Sequence, residues 1–97
     1  NDIYEAVKGS NVIYTDVWSS MGEENQSDLK AKQFKDFTLS TEVLNAAKKE
    51  AIVLHCLPAY RGKEITNEVF ESQGSRIFEQ AENRLYAQQA LLSSILI

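Results

Sequence analysis

The chain has 97 residues, 43% of them hydrophobic and 25% charged, which is the balance of one small globular domain and not of a disordered segment. Against 14 acidic residues stand 10 basic ones, a net charge of −4 that argues against a nucleic-acid surface, and no apolar run nears the roughly 20 residues of a membrane-spanning helix, so a soluble chain is expected. A single cysteine, Cys56, excludes an intrachain disulfide framework and, with a single histidine, His55, argues against a structural zinc site.

Asp2 is placed to cap a short helix that ends near Lys8, with Gly9 as its stop. Val12-Ile13-Tyr14-Thr15 is β-branched and aromatic and reads as a first strand. Glu23 to Lys35 is polar apart from Leu29, Ala31 and Phe34, so a surface helix is expected. Phe37-Thr38-Leu39 reads as a short second strand, after which Ser40 can cap a helix over Thr41 to Lys49. Ala51-Ile52-Val53-Leu54 is apolar on both faces, as a central parallel strand would be. A loop at Pro58 to Lys63 follows, then a turn of helix from Thr66 through Phe70. Gly74-Ser75 precede an expected fourth strand, Arg76-Ile77-Phe78. From about Gln80 to Leu96, Ala81, Leu85, Gln88, Leu92 and Ile95 recur at helical spacing, with Leu91 and Leu96 widening the stripe. Alternating strands and helices predict the α/β class: a partial Rossmann-like, three-layer α/β/α unit with a mostly parallel sheet of about four strands. The chain starts without Met and without a signal-peptide pattern, so part of a larger protein is expected.

Ligands of open parallel sheets bind beyond the carboxyl ends of the strands. Three polar segments fall there: 16–22, 55–58 and 79–84. Asp16 reads equally as a turn former or as an anion for a ligand ammonium. Cys56 is an apolar filler or a reactive thiol at a strand end. Neighbouring strand residues point to opposite faces, so His55 is read as a hydrogen-bonded structural residue or a ligand contact, and not as the base for Cys56. Arg84 is a surface arginine paired with a glutamate, or a guanidinium fork suited to phosphate or carboxylate. No glycine-rich phosphate loop occurs.

Asp16-Val17-Trp18-Ser19-Ser20-Met21-Gly22, His55-Cys56-Leu57-Pro58 and Glu82-Asn83-Arg84 resemble, in order and spacing, the ornithine carbamoyltransferase family, and the resemblance runs over essentially the whole chain. It implies a transferase of arginine metabolism that moves a carbamoyl group from carbamoyl phosphate to the δ-amine of ornithine, giving citrulline and phosphate. It further implies that Asp16, Ser20 and Met21 bind ornithine and that Cys56 accepts a proton. Cys56, Leu57 and Arg84 would contact carbamoyl phosphate, with His55 in support and no metal or cofactor. Aspartate carbamoyltransferases resemble the pattern but typically carry proline at the position of Cys56, and putrescine carbamoyltransferases typically lack Ser-Met-Gly. Ser19 stands where relatives commonly have an apolar residue. The family's Ser-x-Arg-Thr-Arg and His-Pro-x-Gln motifs do not occur in the sequence. The resemblance therefore implies that residues 1–97 are the carboxyl-terminal part of the ornithine-binding domain, inactive without the amino-terminal carbamoyl-phosphate domain. It also implies a homotrimer or larger assembly, in the bacterial cytoplasm or, for a eukaryotic member, the mitochondrial matrix. The last helix, deprived of its partner, would drive self-association. A paralogue acting on another amine or amino acid, or a non-catalytic domain of the same fold, are the competing expectations.

Overall fold

The computed structural model describes residues 2–20 and 22–97. The Asp2 carboxylate accepts the Tyr4 N–H at the head of α1 (Ile3–Val7), satisfying one of its orphan donors. Gly9, at φ +76°, turns the chain out of the helix through a conformation that glycine adopts without a Cβ penalty. β1 (Val12–Thr15) follows. The polar stretch after it forms α2 (Ser27–Phe34) between two 3₁₀ turns, Glu24–Gln26 and Lys35–Phe37, and no residue of α2 is buried. α3 (Thr41–Ala46) is capped by the Ser40 hydroxyl and ends at Ala46 rather than Lys49, because Ala47 is already extended toward the next strand. β2 (Ile52–His55), α4 (Asn67–Phe70, capped by Thr66) and α5 (Ile77–Leu96) complete the chain.

β1 and β2 pair in parallel, from Val12 beside Ile52 to Thr15 beside His55. Alternation turns Ile13, Val53 and His55 inward, while Val12 and Tyr14 are exposed on the other face. Val53 sits among Val7 of α1, Val43 of α3, Val69 and Phe70 of α4 and Ile77 of α5, and this cluster is the core. The α/β class and the parallel pairing agree with the sequence reading.

The sheet is narrower than that reading, with two strands among the described residues instead of about four. Phe37 lies in a 3₁₀ turn, and the expected second strand shrinks to a single bridge between Leu39 and Ile65. The expected fourth strand shrinks to a bridge between Ser75 and Val53, made by Val53 N–H to the Gly74 carbonyl and Arg76 N–H to the Val53 carbonyl. The ladder then stops, because the next donor of β2, the His55 N–H, bonds the side-chain oxygen of Gln80 instead of another strand. Ile77 and Phe78 consequently open α5, and Ile77 is fully buried at its first turn. Gly74 is required at this crossing, since a Cβ there would stand 2.8 Å from the Ala51 carbonyl oxygen. Further along α5, Leu85, Leu91, Leu92, Ile95 and Leu96 are all exposed. Among the described residues, no helix is long and apolar enough to cross a membrane.

Candidate active site

Parallel register sets Thr15 beside His55, so the residues that follow, Asp16 and Cys56, leave adjacent strands side by side. The Cys56 S–H donates to Asp16 Oδ1 at 3.1 Å, and the Val17 N–H donates to the same oxygen at 2.7 Å. Both side chains are exposed at the sheet's carboxyl rim. The hydrogen bond from Cys56 lowers the Asp16 pKa below the ordinary carboxylate value. The same bond, with partial burial and the Asp16 charge, pushes the Cys56 thiol up. Near neutral pH the pair is therefore a carboxylate holding a proton on sulfur.

His55 points the other way, into the core, with no exposed surface. The Leu57 N–H can only donate, so the Nδ1 it bonds at 2.8 Å is an acceptor. Nε2 then carries the ring proton and donates to Glu64 Oε1 at 2.8 Å, an oxygen that also accepts the Tyr60 N–H at 2.9 Å. This buried pair fixes both ends of the 55–64 loop and holds Leu57 at φ +58°, a left-handed conformation uncommon for a branched residue, before a cis bond to Pro58. His55 is thus a hydrogen-bonded structural residue, the first of the two roles read from its strand position. Ligand atoms of Asp16, His55 and Cys56 lie within 4.8 Å of one another, but both His55 nitrogens are committed, so the trio offers a cation no open imidazole.

On the other side of Cys56 lies a cleft of about 670 Å³, bounded by Tyr14, Cys56, Gln80, Asn83 and Arg84. Residues 79–84 lie in α5 and not in a loop, and one turn separates Gln80 from Arg84. No ion pair ties Arg84 among the described residues, and the neighbouring Glu82 accepts from the Tyr86 hydroxyl. Ser20 and Leu57 line a neighbouring cleft with Val17 and Tyr60. The Ser20 N–H and Lys30 Nζ both reach Glu23 Oε2, at 3.4 and 2.6 Å, which ties the loop bearing Ser20 to α2. Met21 lies outside the described residues. Asp16, Cys56 and Arg84 therefore gather at one rim, with Ser20 and Leu57 beside it. Sequence reasoning missed Glu64, Tyr14 and Gln80. Tyr14 was accessible through the two-residue alternation with Asp16, and Gln80 through its place in the 79–84 segment. Nothing in Arg61-Gly62-Lys63-Glu64 marks its last residue as buried.

Residues 1–95 match the family model for the aspartate/ornithine carbamoyltransferase Asp/Orn-binding domain. The chain belongs to the aspartate/ornithine carbamoyltransferase family. Within that family it is 66% identical over 96 residues to an ornithine carbamoyltransferase of Prochlorococcus marinus (strain MIT 9312), covering 99% of this chain and 31% of the relative. Among solved structures, the anabolic ornithine carbamoyltransferase of Campylobacter jejuni superposes with a TM-score of 0.89 at 50% identity, over 95% of this chain and 30% of that one. The Pyrococcus furiosus ornithine carbamoyltransferase gives 0.87 at 45% identity, over 96% and 30%. The chain thus spans about a third of the length of the carbamoyltransferases it matches.

Proposed function

We propose that these residues form the carboxyl-terminal part of an ornithine-binding domain and carry the ornithine side of a carbamoyltransferase site. The reaction is transfer of the carbamoyl group of carbamoyl phosphate to the δ-amine of ornithine, giving citrulline and phosphate. The observation that carries this reading is the 3.1 Å Cys56–Asp16 contact at the rim of a cleft that Arg84 also lines.

Asp16 and Ser20 bind the amino-acid end of ornithine, with Asp16, an exposed anion at neutral pH, taking the α-ammonium; Met21 is assigned to the same end from its motif. An ammonium on Asp16 offsets the negative charge that keeps the Cys56 thiol protonated, so thiolate formation is coupled to substrate arrival. The nitrogen lone pair forms the new N–C bond while the C–O bond to phosphate breaks, its electron pair leaving on phosphate. The proton shed by nitrogen passes to the Cys56 thiolate, a general-base contribution of roughly 10²–10⁴-fold. Arg84 faces the charge that develops on the carbamoyl and phosphate oxygens, a kind of donor whose loss costs about 3–4 kcal/mol. Leu57, in the neighbouring cleft, contacts carbamoyl phosphate. The remaining phosphate contacts come from the rest of the enzyme, which works as a trimer or larger assembly.

The test is citrulline formation by the full-length protein that contains this segment. Cys56→Ala is expected to depress kcat and Asp16→Asn mainly to raise the KM for ornithine. Normal kinetics for both variants would overturn the assignment, and a preference for putrescine or an acylated ornithine would favour a paralogous specificity.

A further inference from the structure

Gln80 has no part in the reaction above, yet its side chain grips both strands of the sheet. Its amide oxygen takes the His55 backbone N–H at 3.0 Å, a group that can only donate. Its Nε2–H₂ donates to the Tyr14 hydroxyl oxygen at 2.9 Å. One side chain of α5 thus bridges β1 and β2, and the residue it holds on β2 immediately precedes Cys56. The rest of the attachment lies in the first turn, where the Arg76 N–H bonds the Val53 carbonyl at 2.9 Å and Ile77 is buried in the core. Beyond Gln80 every residue of α5 is exposed, and among the described residues no hydrogen bond ties that part of the helix to the sheet. Arg84 follows Gln80 by one turn on the same helix face, and both line the cleft with Cys56.

We infer that Gln80 is a positioning residue that sets Arg84 of α5 against Cys56 at the end of β2. Burial of Ile77 holds the helix without direction, whereas two hydrogen bonds of defined angle fix how it leaves the sheet. The Gln80 bridge is the last fixed point before the guanidinium, and it pins the strand end that carries the thiol at the same time. The inference rests on the carbamoyl-transfer reading, which gives Arg84 its task at the carbamoyl and phosphate oxygens. Asp16 and Ser20 are held independently of the bridge, by the Val17 N–H and Cys56 in one case and by Glu23 in the other. Losing the bridge therefore weakens the carbamoyl-phosphate side of the site and spares the ornithine side.

The test is steady-state citrulline formation by the full-length protein that contains this segment, with both substrates varied. Gln80→Met keeps the length of the side chain and removes both hydrogen bonds. It is expected to raise the KM for carbamoyl phosphate and to lower kcat/KM for it by about 10- to 100-fold, the scale of a small misplacement of a reacting group. The KM for ornithine is expected to stay within about twofold, whereas a mere loss of folded enzyme would lower kcat and move neither KM. Gln80→Glu offers one oxygen to the His55 N–H and the other to the Tyr14 O–H, and is expected to stay within about threefold of the original. Because Gln80 acts through Arg84, adding Gln80→Met to Arg84→Gln is expected to cost less than about threefold more. Normal carbamoyl-phosphate kinetics for Gln80→Met would overturn the inference, as would a Gln80→Glu enzyme equally impaired or losses that multiply in the double variant. The carbamoyl-transfer reading fails separately, through citrulline kinetics that ignore Asp16 and Cys56.

Discussion

Replacing Glu64 by alanine removes the acceptor on which the 55–64 loop is anchored. Glu64 is 1% exposed and His55 is fully buried, so no solvent compensates for the loss. Two donors are stranded, His55 Nε2–H and the Tyr60 N–H, at roughly 1–3 kcal/mol each. A domain of this length has a total stability of about 5–15 kcal/mol, so a loss on this scale is a large fraction of it. Equilibrium unfolding in urea measures this as a lowered midpoint at unchanged slope. Glu64→Gln keeps a carbonyl oxygen for both donors and is expected to lose less than half as much. A Glu64→Ala midpoint within about 0.5 kcal/mol of the original, or equal to that of Glu64→Gln, would refute the claim that this acceptor holds the loop.

The Asp16–Cys56 pair gives stability a pH dependence of defined sign. The folded chain holds the Cys56 proton more tightly than the unfolded one, so that contribution is complete below the ordinary thiol pKa of about 8.5 and is lost as pH rises through the raised folded value. The lowered Asp16 pKa works in the other direction, its contribution present above about pH 4 and lost as pH falls through the folded value. Urea midpoints across pH are expected to show both trends in the original chain and weaker ones in Asp16→Asn, where burial of Cys56 and the lowered Glu23 carboxyl remain. Gly74→Ala forces a methyl against the Ala51 carbonyl oxygen at 2.8 Å and is expected to cost about 1–3 kcal/mol in the same assay. Ile77→Ala, at a fully buried helix start, is expected to cost about 2–5 kcal/mol, whereas Phe78→Ala, largely exposed but edge-on to Phe70, is expected to cost less. The exposed leucine and isoleucine face of α5 is expected to make the chain self-associate, with Leu92→Glu dispersing it; sedimentation as a monomer at high concentration would contradict this.

How far the sequence carries depends on whether an element is decided locally. Asp2 and Ser40 cap helices through their own side chains, and Gly9 turns the chain with its own backbone, so each was legible from type and position. Ile77 and Phe78 were not, because their β-forming character is overridden by the Gln80 side chain occupying the donor that a further strand would have used. The same distinction holds at the site. Alternation along β1 and β2 separates His55 from Cys56, and the three motifs mark Asp16, Cys56 and Arg84 before any coordinates. The burial of Glu64 arises only when the 55–64 loop folds back on His55, nine residues earlier, and no local pattern encodes it.

The carbamoyl-transfer account is tested most directly by a crystal structure of the full-length protein with ornithine bound. The account predicts the α-ammonium on the Asp16 carboxylate and the δ-nitrogen turned toward Cys56 Sγ, on the side of the cleft that Arg84 lines. Ornithine seated instead between Trp18, Ser27 and Lys63, with neither Asp16 nor Cys56 touching it, would contradict it.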